Sequence, residues 1–79
     1  MNPQKLITMA NQIAAHFQSE PDKAEAVEHT AGHIKKFWEP RMRRELLAYF
    51  DQHGTEGMHE LLAAALQERR AELEPATEA

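Results

Sequence analysis

His29 and His33 stand four residues apart, a spacing that sets two imidazoles on one face of a helix as half of a metal site. Glu25 and Glu28 lie near enough in sequence to offer a third ligand. No His-Glu-x-x-His pattern accompanies them, and any two residues of a polar helix face share this spacing, so a solvated or capping role outweighs metal binding. His16, His53 and His59 are isolated and read as surface or helix-end residues. The pairs Glu25/Glu28 and Glu68/Glu72 could be taken for acid–base couples, but exposed helix faces ordinarily carry such carboxylates. There is no Gly-rich phosphate loop and no serine in a nucleophile motif. Catalysis by this chain alone is not expected.

The stretch from His33 to Arg44 is more particular. It holds the only Trp, Trp38, beside Phe37, and five of the nine basic residues: Lys35, Lys36, Arg41, Arg43 and Arg44. Arginines at the start of a helix oppose its dipole, so three of them just after Pro40 suggest a use beyond helix stability. Salt links within the chain would account for them; so would a protein-docking patch, with guanidinium groups as rigid bidentate donors. Of the aromatic pair, helical phase assigns Trp38 to the core and leaves Phe37 as an interface anchor. Asn11 and Gln12 border the apolar stripe of the first helix, where their amides can pair with a partner's backbone or with the third helix. The expected partner-binding set is therefore Lys35, Lys36, Phe37, Trp38, Arg41, Arg43, Arg44, Asn11 and Gln12.

These residues need helices to position them. Asn2-Pro3 is a helix start, with Asn as N-cap and Pro at the first helical position. Leu6, Met9, Ala10, Ile13 and Phe17 follow on one face, widened by Ile7 and Ala14, which predicts a helix over 3–18. Ser19-Glu20-Pro21-Asp22 reads as a second start, with Ser19 as cap. Ala24, Val27, Ala31, Ile34 and Trp38 form one stripe of a helix over 20–38, in which Gly32 predicts a close helix crossing. Pro40 forces Glu39 out of the helical region and opens a helix over 40–53 with Met42, Leu46, Leu47, Tyr49 and Phe50 apolar; Gly54 stops it. Thr55 caps a fourth helix over 56–72, carrying Met58, Leu61, Leu62, Ala65 and Leu66. No alternating strand pattern occurs. The expected fold is all-α: a compact four-helix single domain over 1–73, followed by a frayed tail at 74–79.

Composition sets the outer bounds. Seventy-nine residues make one small domain, burying about 60% of its unfolded surface. Cys is absent, so there is no disulfide and no thiolate ligand. A small domain without such staples often gains stability from a partner, and broad apolar stripes leave room for a homodimer in isolation. The longest apolar run, Leu61–Leu66, is far short of the roughly 20 residues of a membrane helix. The N-terminal residues lack the pattern of a secretory signal; a cytoplasmic location is expected. The formal charge is −4, yet residues 35–44 sum to +4 and the remainder to −8. An acidic chain is poorly suited to nucleic acid. A small helical DNA-binding or regulatory protein is therefore the weaker alternative, beside a metal binder using His29 and His33.

Two stretches carry a resemblance. Met9-Ala10-Asn11-Gln12-Ile13-Ala14 with Phe17, and His33-Ile34-Lys35-Lys36-Phe37-Trp38-Glu39-Pro40-Arg41-Met42-Arg43 with Leu46-Leu47-Ala48 after it, resemble the small delta subunit of NAD-dependent formate dehydrogenase. The likeness runs over about residues 5–66 and departs at His16, where a bulkier apolar or aromatic residue is expected. It implies a non-catalytic accessory subunit of a cytoplasmic complex, helping its assembly, cofactor insertion or stability. The large subunits of formate dehydrogenase would be the partners. They would carry the molybdenum pterin, iron–sulfur clusters and flavin, with no cofactor on this chain.

Overall fold

The chain folds as Pro and Asn punctuation dictates at its first and third helices. The computed structural model describes residues 2–75. Helix α1 (Pro3–Phe17) starts where Asn2 Oδ1 accepts the Gln4 N–H at 2.8 Å, and α3 (Pro40–His53) runs from Pro40 to the residue before Gly54. Gly54 adopts φ 66°, a left-handed conformation that glycine enters without steric cost, and its N–H closes on the Phe50 carbonyl at 2.8 Å. All regular structure among the described residues is helical.

Two starts differ from the sequence reading. Helix α2 (Lys23–Phe37) begins at residue 23, not 20, because Asp22 and not Ser19 is the cap. One Asp22 carboxylate oxygen accepts the N–H groups of Ala24 and Glu25 at 2.9 and 3.4 Å, leaving Pro21 outside the helix. The expected helix over 56–72 is two pieces: α4 (Glu60–Glu68) and a single turn, α5 (Arg70–Leu73), parted at Arg69 with φ −120°. Thr55 does not cap α4. It sits in a turn in which the Met58 N–H bonds its carbonyl at 3.0 Å, Gly57 takes φ 76°, and His59 caps instead. Glu74 of the expected tail caps α5 and accepts Arg70 Nε–H at 2.9 Å; residues 76–79 of that tail lie outside the described residues.

Helix α2 is the centre of the packing, lying against α1, α4 and α5, while α1 also meets α3 and α4. Ala26, Val27, Ala31 and Ile34 of α2 bury against Leu6, Ala10 and Ala14 of α1 and Leu61, Leu62, Ala65 and Leu66 of α4 in one core, which Leu46, Leu47 and Leu73 complete. The small alanines on α1 and α2 let helix axes approach, and the leucines fill the volume between them. Thr30 is the buried polar residue of the core, its Oγ–H donating to the Ala26 carbonyl at 2.7 Å. Gly32 makes no close crossing: a Cβ there would meet nothing within 4 Å, and Ala31 one residue earlier is the buried small residue of this turn.

The core uses α1 off-centre. Leu6, Ile7, Ala10 and Ala14 are buried, whereas Met9, Ile13 and Phe17, read from the sequence as members of the central stripe, lie only partly buried at its edge. The apolar arc of α1 is thus wider than the face that α2, α3 and α4 cover.

Candidate functional site

The α2–α3 corner is set by proline. Trp38 and Glu39 leave the helical region, with ψ 139° and 152°, as the residue before a proline must and its neighbour then follows. The turn divides the aromatic pair: Trp38 folds back into the core, 7% exposed, while Phe37 is 67% exposed, the large apolar side chain most open to solvent among the described residues. Lys35 and Lys36 occupy the last turn of α2, where cations favour the dipole, and both are exposed.

The three arginines do not act alike. Arg41 and Arg44 are exposed, and Arg41 Nε stands 3.7 Å from Glu45 Oε2, a solvent-screened pair. Arg43 faces inward: its Nη1–H donates to the Leu73 carbonyl at 3.3 Å and its Nε–H is buried without an acceptor. It joins α3 to α5. Trp38 is thus a core residue that shows only an edge, and Arg43 is tied to the fold.

Asn11 is tied to the fold as well. Its Nδ2–H donates to the Gly57 carbonyl at 2.8 Å, and its Oδ1 accepts the His59 N–H, also at 2.8 Å. Both functions of the amide hold the α3–α4 loop, rather than a partner or the third helix itself. Gln12 beside it is exposed.

His29 and His33 both lie against Phe17, with ring centroids 5.7 and 6.1 Å away, but their other partners differ. His29 Nδ1–H donates to both carboxylate oxygens of Glu20, at 2.7 and 2.8 Å; this bond, with the nearby Glu25 and Glu28 charges, raises its pKa above the ordinary 6.5. His33 stacks on Phe37, centroids 4.7 Å apart. Among the described residues no group of three or more His, Asp or Glu is arranged to hold a metal ion.

Phe17 and His33 form a ridge between two depressions. One, about 440 Å³, lies between α1 and the end of α2 and is lined by Met9, Gln12, Ile13, His16 and the edge of Trp38. The other is bounded by Phe37 and Lys36, with Glu28 and Glu72 at its margin. Phe37, the ridge and the α1 edge thus make one surface across two helices, apolar along α1 and mixed with Glu28, His29, Lys36 and Glu72 beside Phe37.

The family model of NADH-dependant formate dehydrogenase delta subunit FdsD matches residues 5–78, nearly the whole chain. The chain belongs to this family. No curated protein and no solved structure matches it. The two stretches that resembled the delta subunit in sequence lie, in this FdsD chain, on α1, where Ala10 and Ala14 are core and Met9 and Ile13 its edge, and at the α2–α3 corner. No helix of the described residues is long and apolar enough to cross a membrane.

The sequence reading of this FdsD chain missed the groove because Met9, Ile13 and Phe17 have the helical phase of core residues. A signal was present: apolar residues span too wide an arc of α1 for one packed face, and the first acid in the chain is Glu20. His59, read from the sequence as a surface or helix-end residue, takes a helix-end role as the cap of α4, in the place where Thr55 was expected. Its Nδ1 accepts the Leu61 N–H at 3.0 Å, and Nε2–H donates to Gln18 Oε1 at 3.0 Å.

Proposed function

We propose that this chain is a non-catalytic accessory subunit of a cytoplasmic, NAD-linked molybdenum formate dehydrogenase, docking on the large subunits and supporting their assembly, cofactor insertion or stability. The observation that carries this reading is the FdsD family match over residues 5–78. The molybdenum pterin, iron–sulfur and flavin groups belong on the larger chains; this one offers no Cys to ligate a cluster. Phe37 is the anchor, since an exposed aromatic beside cationic side chains has the composition of an interface centre. Lys35, Lys36, Arg41, Arg44 and Gln12 complete the surface available to a partner.

Mild affinity purification of the tagged chain from its host, with bound proteins identified and weighed, tests this. Stoichiometric large subunits are expected for a permanent subunit, and substoichiometric ones for an assembly factor. Phe37→Ala, and separately Arg41→Glu with Arg44→Glu, should lower recovery at least about tenfold with helicity unchanged. Arg43 is left out of the charge reversal because a carboxylate there would face the Leu73 carbonyl. Absence of formate dehydrogenase subunits from the wild-type eluate would overturn the reading.

A further inference from the structure

The groove between α1 and the end of α2 has a chemistry that narrows what can lie in it. Its walls are Met9, Ile13 and Phe17 from α1 and His33 with the Trp38 edge from α2. The core has no use for these α1 side chains in full: they stand partly open while Leu6, Ala10 and Ala14 behind them are closed. Apolar side chains at positions 9, 13 and 17 follow each other at one-turn intervals, so they make a straight stripe along the helix.

One formally charged side chain borders the stripe, and it is the cation Lys5. The chain has 13 acids, and none falls in residues 1–19. No carboxylate lines this groove or the shallower depression that continues it toward Gln4 and Lys5. The polar groups bordering the two are Gln4, Lys5, Thr8, Gln12, His16 and His33, all able to donate hydrogen bonds, on a protein that is elsewhere strongly acidic. Glu28 and Glu72 lie beyond the Phe17–His33 ridge, in the other depression.

The described residues offer no sheet edge to extend, and a straight apolar stripe lying between two helices suits helix-in-groove packing of a peptide segment. From Lys5 to Phe17 the α1 edge is about 18 Å long, the length of some three helical turns.

We propose that this groove seats an amphipathic helix of a partner protein, its apolar stripe packed on Met9, Ile13 and Phe17 and its bordering Asp or Glu residues set against Lys5, His16 and His33. The inference rests on the accessory-subunit reading and specifies the partner's segment: about three turns, apolar at i, i+3 or i+4 and i+7, acidic along the flank. Electrostatic complementarity of this kind fixes register and speeds encounter, while the apolar stripe supplies the affinity. A second copy meeting the groove through its own α1 would set Lys5 against Lys5 and offer no acid.

The test places p-benzoylphenylalanine at the exposed position 12 in place of Gln12, and as a control at the exposed position 52 in place of Gln52. Both chains are irradiated in the host and the adducts mapped by mass spectrometry. Attachment from position 12, and not from 52, to a helical segment of a formate dehydrogenase subunit with acids flanking an apolar stripe is the expected result. Binding of the purified large subunits should fall at least about tenfold for Met9→Glu with His16→Glu, with the helicity of the variant retained, while Gln52→Glu at the exposed control position leaves it intact. If wild-type chain recovers no formate dehydrogenase subunits, the accessory-subunit reading falls and this inference with it. If they are recovered, yet position 12 gives no adduct and Met9→Glu with His16→Glu binds normally, the groove assignment alone is wrong. An adduct on a second copy, or on a segment without acids, overturns the partner chemistry.

Discussion

A side-chain amide has two donors and an acceptor to place, and at Asn11 one donor and the acceptor go to a loop 46 and 48 residues away in sequence. Gly57 carbonyl and His59 N–H both belong to the turn that launches α4, so Asn11 fixes where the fourth helix begins. Replacing Asn11 by Leu would keep its volume and orphan both groups, and the His59 N–H is only partly exposed. A loss of about 1–3 kcal/mol is expected, read as a lower urea midpoint at unchanged m-value. Asn11→Asp should fall between the two, because a carboxylate still accepts from His59 N–H but repels the Gly57 carbonyl. If Asn11→Leu were as stable as wild type while partner binding fell, the amide would serve the interface after all. The same reasoning places Arg43 on the structural side: an inward guanidinium with one orphaned N–H is held by geometry, not offered to a partner.

The helices show which elements were legible in the sequence and why others were not. Pro3 and Pro40 fix their helix starts because proline constrains its own φ and the residue before it, and Gly54 fixes a stop for a comparable backbone reason. At Ser19–Asp22 three side chains could cap; Asp22 does so because its carboxylate reaches two N–H groups at once. That choice is made by geometry that periodicity does not encode. At Thr55 the local signal pointed to a cap, but Gly57, Asn11 and His59 together move the start to Glu60, and two of these act across the fold. The groove was hidden for a related reason: phase tells which residues are apolar and aligned, not how much of the arc a neighbour covers. The His59 cap gives an element-scale prediction. Its Nδ1 must present a lone pair to the Leu61 N–H, which Asn can imitate and Ala cannot. His59→Ala should destabilise by about 1 kcal/mol and raise amide exchange in the first turn of α4, whereas His59→Asn should recover most of the loss. Equal exchange in both variants would show that the Gln18 contact, and not the cap, is what matters.

Across the whole molecule, two polar ties at opposite positions give stability a pH window with a definite sign at each edge. Glu20, on the chain before α2, holds His29 and raises its pKa above the ordinary 6.5. A raised imidazole pKa means the folded state binds the proton more tightly, so this contribution is fully present below 6.5 and is lost as pH climbs through the higher folded value. Asp51 of α3 faces Arg70 of α5 in a two-pronged bridge of 2.8 Å each, and the hydrogen bonds from Arg70 hold its carboxyl below the ordinary 3.8. Its contribution is present above 3.8 and fades as pH falls through the lower folded value. Both pairs are open to water, so each effect is small, but the signs are opposite and separable. Thermal midpoints should decline from pH 6 to 8 in the wild type and decline less in Glu20→Gln, since the mutant has no charged acceptor to lose. In Asp51→Asn the midpoint should be lower near neutrality and less sensitive to acid below pH 4. The His29 ring signals in NMR supply an independent check, titrating at higher pH in wild type than in Glu20→Gln. Coincident titrations in the two proteins would remove His29 as the source of the alkaline edge.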